Sequence, residues 1–269
     1  MFLKGKKKHI NLMNNQVIVT ASIVLYKENL NEVISTIECF LSSPLSKKLF
    51  LIDNTKNKFY EGKLETKDVK YIAIKKNIGF GNGHNKIISE IRDFSKYHLI
   101  LNPDVKFKSN LIPKLLKTLE SFNDVAMIAP KVLFPDGRHQ YSCRRYPTAS
   151  ELLARRFTFL KSIFKKQIFK GTYRDKDLNQ PFFAEYITGC FHLYKTKDFV
   201  KIKGFDERYF LYMEDVDICR KIDALGKKKL YFPQEEIVHV LKQGSSKNLK
   251  LFFRHTSSAI KYFLKWGFR

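Results

Sequence analysis

The sequence predicts an α/β layer fold built on a mostly parallel sheet. Short apolar, β-rich runs alternate with stretches of helical spacing through the first half of the chain, the order in which strands and crossover helices follow one another. Each apolar run is brief and bounded by polar turn residues. With 269 residues, 44% of them hydrophobic and 14% aromatic, the chain can bury a sizeable core in one large domain or two small ones, which excludes a disordered basic tail protein.

The elements follow in order. VIVTASIVLY (17–26) is the first strand, and Asn29 to Leu41 is a helix with Leu30, Val33, Ile34, Ile37 and Leu41 at helical spacing. KLFLID (48–53), VKYIAI (69–74) and YHLIL (97–101) are further strands, with HNKIISEIRDF (84–94) a helix between the last two. SNLIPKLLKTLESF (109–122) is a helix and VAMIAPKVLF (125–134) a strand. From Arg144 to Lys176 the chain holds ten basic residues against two acidic ones, interleaved with Phe157, Phe159, Leu160, Ile163, Phe164, Ile168 and Phe169. That insert reads as helical at least in part, either a solvated helix with one side on the core or a surface for lipid headgroups or phosphates. The tail LKLFFRHTSSAIKYFLKWGF is amphipathic, and no acidic residue follows Glu236.

Fifty Lys and Arg against 26 Asp and Glu give a net charge of +24, which predicts polyanionic partners: nucleic acid, an anionic membrane surface or phosphorylated substrates. Cys39, Cys143, Cys190 and Cys219 form no CxxC pair, so buried reduced thiols are expected. The basic start MFLKGKKKHINLMNN lacks the apolar stretch of a signal peptide, and no window of about 18 apolar residues is present to span a bilayer. A cytoplasmic protein is expected.

Five constellations can carry chemistry. Asp53 ends a strand, where ligands of open α/β sheets bind, although Asp before Asn is also ordinary turn chemistry. NIGFGNGHN (77–85) places three alternating glycines ahead of a helix, either a loop that lets backbone approach an anionic ligand or a tight turn with no ligand. Its spacing is GxGxG, unlike the dinucleotide fingerprint. LNPDV (101–105) presents Asp104 on a turn stiffened by Pro103, suited to a hard cation on a diphosphate, or else simply a Pro-Asp turn before the next helix. In GFDERYFLYMEDVDICRKIDALG (204–226), helical spacing puts Ile218, Cys219, Ile222 and Leu225 on one face with Asp215 in line at the helix start, while Glu214 and Asp217 fall off it. Asp215 is then either a solvated cap or a general base aimed into a cleft walled by Phe205, Tyr209, Phe210 and Tyr212. Lastly, IVHVLKQGSSK (237–247) offers His239 and a small phosphate-contacting loop at Gly244–Lys247, against the reading of a satisfied core histidine.

Taken in this order, from about Val17 to Lys247, these segments resemble family 2 glycosyltransferases of the GT-A fold, and the bacterial rhamnosyltransferases among them. The carriers are SIVLYKE, LIDNTKN, NIGFGNGHN, LNPDV, TGCFHLYK (188–195), FDERYFLYMEDVDICRKI and HVLKQGSSK. The resemblance implies a Rossmann-like nucleotide-binding sheet flanked by helices. The chain then divides into a basic extension (1–16), a GT-A domain (17–245) with a basic aromatic insert (144–180), and, from its amphipathic basic composition, a C-terminal membrane-associating helix (246–269). Tyr26 and Asp53 would hold the nucleotide, and Asn77, Gly79, Gly81, Asn82 and Asn85 would lie along the ribose and diphosphate. LNPDV occupies the place of a DxD motif with Asn102 for its first Asp, so Asp104 would ligate Mg²⁺ or Mn²⁺ with His239. Asp215 would be the catalytic base with Glu214 its neighbour, and Gly189, Cys190 and Tyr212 would face the acceptor.

The implied activity is inverting transfer of a sugar, L-rhamnose from dTDP-rhamnose or else a UDP-linked sugar, onto a lipid-linked (polyprenyl diphosphate) or polysaccharide acceptor in cell-surface glycan synthesis. Such chemistry needs a base and stabilisation of the leaving diphosphate, and no enzyme nucleophile. A nucleic-acid-binding protein finds no helix-turn-helix, zinc-finger or RNP pattern, and a nucleotidyltransferase does not account for the Glu214–Asp215 helix. The excess charge gathers in Lys4–Lys8, the insert and the tail, while 204–226 has no basic excess, with six acidic residues against three basic ones. The expected docking place is therefore the inner, anionic face of the cell membrane.

Overall fold

A computed structural model describes residues 17–156, 164–240 and 249–268. The basic start (1–16), Phe157 to Ile163 of the insert and the loop Gly244–Lys247 lie outside the described residues.

β1 (Val17–Leu25) is buried from Val19 onward, as a strand covered on both faces must be. Its alternation divides the core into two layers. Val19, Ala21, Ile23 and Leu25 meet Val33, Ile37 and Phe40 of α1 (Leu30–Leu41) and Leu115 and Leu119 of α4 (Leu111–Glu120). The even residues Thr20, Ser22 and Val24 face the opposite layer. The Asn29 side chain caps α1, accepting from Asn31 N at 2.9 Å and Glu32 N at 3.4 Å, which satisfies donors a helix start leaves free.

β2 (Lys47–Asp53), β3 (Val69–Ala73) and β4 (Ser95–Leu101) extend β1 in parallel, with Leu25, Asp53 and Ala73 in register at one edge. Past β4 the sheet runs β10 (Phe191–Lys195), β6 (Val125–Leu133), β11 (Lys228–His239) and β5 (Val105–Lys106). β10 is antiparallel to both β4 and β6, and β11 is parallel to β6. β8 (Phe182–Phe183) pairs with β11, and β7 (Cys143–Arg144) forms a small ribbon with β9 (Tyr186–Ile187). The sheet is mostly parallel, as the strand–helix alternation predicts; the antiparallel β10 is not legible from that alternation.

The helix expected over 84–94 is instead two short ones, α2 (Phe80–Asn85) and α3 (Ile88–Ile91). It starts early because the glycines that disfavour helix elsewhere are required there by close packing, described below. The insert contributes α5 (Ala149–Arg156) and α6 (Lys165–Gly171). α7 (Thr196–Lys201) and α8 (Glu214–Ala224) cover the second layer. The tail forms α9 (Leu249–Trp266), which buries Ser258, Tyr262 and Phe263. Among the described residues no helix is long and apolar enough to cross a membrane. Cys143, Cys190 and Cys219 are buried free thiols, and Cys39 is only half-buried.

Two expectations are corrected around α8. Asp217 and Glu214 do not fall off the buried side: both are buried, Asp217 completely. α9 supplies a second surface against α8, and there Asp217 Oδ1 accepts from Lys265 Nζ and Trp266 Nε1, both at 2.7 Å, and from Tyr209 OH at 3.3 Å. Phe205 and Tyr209 do not wall an open cleft; they are core residues.

Asp217→Ala removes the carboxylate that fastens α9 and leaves Lys265 and Trp266 donors behind. A loss of about 3 kcal/mol of unfolding free energy is expected by urea denaturation, as for breaking a buried charge pair.

Candidate active site

α8 begins through two successive non-glycine residues in the left-handed region, Tyr212 (φ 69°) and Met213 (φ 67°). This conformation is unfavourable by about 1–2 kcal/mol per residue and persists only where the surroundings impose it. It turns the chain sharply, so that Asp215 arrives beside Gly189. A Cβ added to that glycine would stand 3.4 Å from Asp215 Cβ. Asp215 Oδ1 accepts from Val216 N at 2.9 Å. Burial raises the Asp215 pKa, opposed by the Val216 backbone N–H and by the Arg144 guanidinium. Glu214 Oε2 is buried without a hydrogen-bond partner. Burial first, then the neighbouring Asp215 charge, pushes the Glu214 carboxyl up to about 8. Both carboxyls are therefore pushed above the ordinary carboxylate range, Glu214 by burial and by the Asp215 charge, Asp215 by burial.

A second pair forms where β4 and β11 end. His239 Nε2 lies 3.4 Å from Asp104 Oδ1 and 3.3 Å from Asn102 Nδ2. His239 Nδ1 lies 3.1 Å from Gln140 Oε1, and Gln140 Nε2 donates to the His239 carbonyl at 2.6 Å. Gln140 thus orients the ring so that Nε2 faces the carboxylate. Burial lowers the His239 pKa, but the adjacent Cys190 and Asp104 outweigh it and raise it to about 10. Asp104 Oδ1 is buried with no hydrogen-bond donor. A carboxylate oxygen and an imidazole nitrogen at this separation suit adjacent positions around one small divalent cation, whose ligands stand about 2.0–2.1 Å from it. Among the described residues no group of three or more His, Cys, Asp or Glu could hold a metal, so the remaining ligands of a cation here would come from substrate or solvent.

The glycine segment serves mainly as a packing joint. A Cβ at Gly79 (φ 93°) would collide with the Phe210 carbonyl, one at Gly81 would stand 2.7 Å from Phe205 Cβ, and one at Gly83 2.6 Å from Val24 Cγ2. Asn85 uses both ends of its amide on the Phe205 backbone, donating to O at 2.8 Å and accepting from N at 2.9 Å. Asn82 Nδ2 donates to the Ile78 and Glu207 carbonyls. Asn77 Oδ1 accepts from Gly79 N, and Asn54 Nδ2 donates to Gly79 O, both at 3.0 Å. Asp53 is fully buried at its strand end, accepting from Thr55 N at 2.7 Å and Tyr71 OH at 2.5 Å. Tyr26, at the end of the neighbouring β1, is exposed.

No protein-family model matches the chain. Two curated relatives do. The Escherichia coli rhamnosyltransferase WbbL is 28% identical over 193 residues, covering 68% of this chain and 69% of its own. The Mycobacterium tuberculosis N-acetylglucosaminyl-diphospho-decaprenol L-rhamnosyltransferase is 26% identical over 184 residues, 64% of this chain and 59% of its own; the chain thus spans less than two thirds of that relative. Among solved structures, GalNAc-T7 with UDP, GalNAc and Mn²⁺ superposes with a TM-score of 0.64 at 14% identity, over 87% of this chain and 45% of that one. The chain is a glycosyltransferase of the GT-A fold, similar to rhamnosyltransferases.

The fold of this glycosyltransferase gathers Asn102, Asp104 and His239 in one place and Glu214, Asp215 and Gly189 in another. Cys190 joins the two: its carbonyl accepts from Asn102 N at 2.9 Å, and Gly189 precedes it. Tyr212 is turned onto α9, ring to ring with His255 at 5.0 Å. Three residues of the site have no role assigned from the sequence. Gln140 sits in a polar turn like many others, Asn54 follows the Asp that draws attention, and Arg144 is one of many basic residues; only three-dimensional proximity marks them.

Two outcomes follow for the glycosyltransferase. Gly81→Ala must displace Phe205 and should lose about 1–3 kcal/mol in chemical denaturation. Glu214 has a folded-state pKa raised above its ordinary value, so its stabilisation is complete below that value and fades as pH rises toward about 8. Denaturation midpoints measured across that interval should fall with pH, and less steeply in Glu214→Gln.

Proposed function

We propose that this glycosyltransferase moves L-rhamnose from dTDP-rhamnose, with inversion, onto a hydroxyl of a lipid-linked or polysaccharide acceptor in cell-surface glycan biosynthesis. One observation carries the proposal: the Gly189–Cys190 turn links a half-buried carboxylate at a helix start, Asp215, to the Asp104–His239 pair at the strand ends. Similarity to two rhamnosyltransferases supports the sugar, and the decaprenol-linked relative supports the lipid-linked acceptor.

In this mechanism Asp215 accepts the proton of the acceptor hydroxyl as the sugar's anomeric carbon is attacked, a contribution of about 10²–10⁴-fold in rate. Glu214, whose carboxyl is pushed up by burial and by the Asp215 charge, lies next to that base in sequence and disfavours a second negative charge beside it. Asp104 and His239 would hold Mg²⁺ or Mn²⁺, which when bound neutralises charge on the departing nucleoside diphosphate. That cation and the imidazole proton compete for Nε2, so loading is expected to release a proton. Tyr26 and Asp53 would flank the nucleotide base, with Asp53 held in orientation by Thr55 and Tyr71. The backbone of Asn77–Gly79 would border the ribose and diphosphate, while Gly81, Asn82 and Asn85 keep the loop against 205–210.

Rhamnosyl transfer from dTDP-rhamnose to a polyprenyl-diphosphate acceptor, followed by release of dTDP, tests the reading. Asp215→Asn should lower kcat about 10²–10⁴-fold with donor affinity unchanged, and Asp104→Ala should weaken donor binding and abolish its dependence on Mn²⁺. Full activity of Asp215→Asn would overturn the base assignment. Turnover of a UDP-sugar with none of dTDP-rhamnose would replace the donor.

A further inference from the structure

α9 has two apolar faces, and the fold uses one. Inward, Tyr262 and Phe263 are buried against the second core layer. Outward, Leu249 is 76%, Phe253 66%, Ile260 53% and Leu264 73% exposed, and Phe268 just past the helix is 69% exposed. With 3.6 residues per turn these helical positions fall within about 60° of arc, a narrow strip, interrupted between Phe253 and Ile260 by the exposed Thr256 and Ser257, that nothing among the described residues covers. Lys250, Arg254 and Lys261 lie along one border of it. Together with Leu249, Phe253 and Phe210 they line a groove of about 560 Å³. Residues 249–268 contain no Asp or Glu.

We propose that this face of α9 docks the protein on an anionic phospholipid bilayer, with the apolar strip among the acyl chains and the basic border at the headgroup phosphates. A straight strip of large apolar side chains beside a row of cations is the arrangement of a helix lying in a membrane interface. Charge selects the occupant. A second copy of the chain would bring another net charge of +24 against the same basic border, whereas anionic lipid complements it. The helix also grips the segment leading into α8, from its buried side by Ser258 Oγ, which donates to the Leu211 carbonyl, and from its basic border by Lys261 Nζ, which donates to the Arg208 carbonyl, each at 2.9 Å, and by the Arg254 guanidinium, which stacks on Phe210 at 3.9 Å. Docking would therefore set Asp215 at a fixed height above the bilayer. The inference stands on the helix alone and does not require the sugar or the acceptor assigned above.

Co-flotation of the full chain with phosphatidylglycerol/phosphatidylcholine vesicles tests it, with pure phosphatidylcholine vesicles as the neutral arm. Binding is expected to the anionic vesicles only and to fall about tenfold or more in Phe253→Ser/Leu264→Ser, two exposed positions whose change leaves the core intact. Phe59→Ser, an exposed aromatic outside α9, should bind as the unaltered protein does, and thermal melting of both variants should match it. Undiminished flotation of the double variant, or equal flotation on neutral vesicles, would overturn the proposal. So would a dimer in sedimentation that the double variant dissolves, since the strip would then be covered by a second copy.

Discussion

The candidate site depends on where β10 lies. A purely parallel sheet would bring only its own strand ends to one edge. By running antiparallel between β4 and β6, β10 delivers its starting turn, Gly189–Cys190, to the edge where β4 finishes. The register Phe191↔Leu101 then fixes the Asn102–Cys190 hydrogen bond, and from it both carboxylate sites take their positions. Asp104 follows Asn102 on the Pro103 turn, and Asp215 abuts Gly189. A one-residue slip would face every β10 side chain the wrong way, and Phe191 and Leu193 in the core make that prohibitive.

The segment 204–217 is held from both sides. The glycine segment presses on Phe205 and Phe210 with no room for a Cβ, and Asn85 clamps the Phe205 backbone. α9 holds the other side through Leu211, Arg208 and Asp217. Two left-handed residues can persist at Tyr212 and Met213 because this grip over-determines them. Beneath lies a chain of buried polar groups, His84–Ser22–His98–Thr20–Ser95, with bonds of 2.7, 3.0, 2.9 and 2.8 Å. Burial holds the His98 pKa down at about 3 and lowers that of His84 as well, so these rings bridge β1, β4 and α2 as neutral hydrogen-bonding groups.

Much of this was legible in the sequence. The strands at 17–26, 48–53 and 125–134 announce themselves because a strand covered on both faces is largely apolar, and Asp53, Asp104, Asp215 and His239 stand at element ends where ligands gather. β10 was not legible, because five residues of antiparallel strand carry no signal of the partner they insert beside. The burial of Asp217 was hidden for a related reason: helical spacing reports one apolar face, and α8 acquires a second only when α9 packs on it. The glycines were ambiguous in a physical sense, since a missing Cβ makes room equally for a phosphate or for another stretch of chain.

The placement of β10 also orders events in time. β4 and β6 are separated in sequence by a helix but not by each other's hydrogen bonds; both leave a row of backbone groups open until residues 191–195 arrive. On a ribosome, the first 140 or so residues emerge with that gap unfilled, and closing it requires contacts across roughly ninety positions of chain, the slow class of folding step. Before that moment the amino-terminal half is an open-edged sheet, prone to pairing with whatever strand it meets. The strand that assembles the candidate site's edge is thus also the one that closes the nascent chain's open-edged interval.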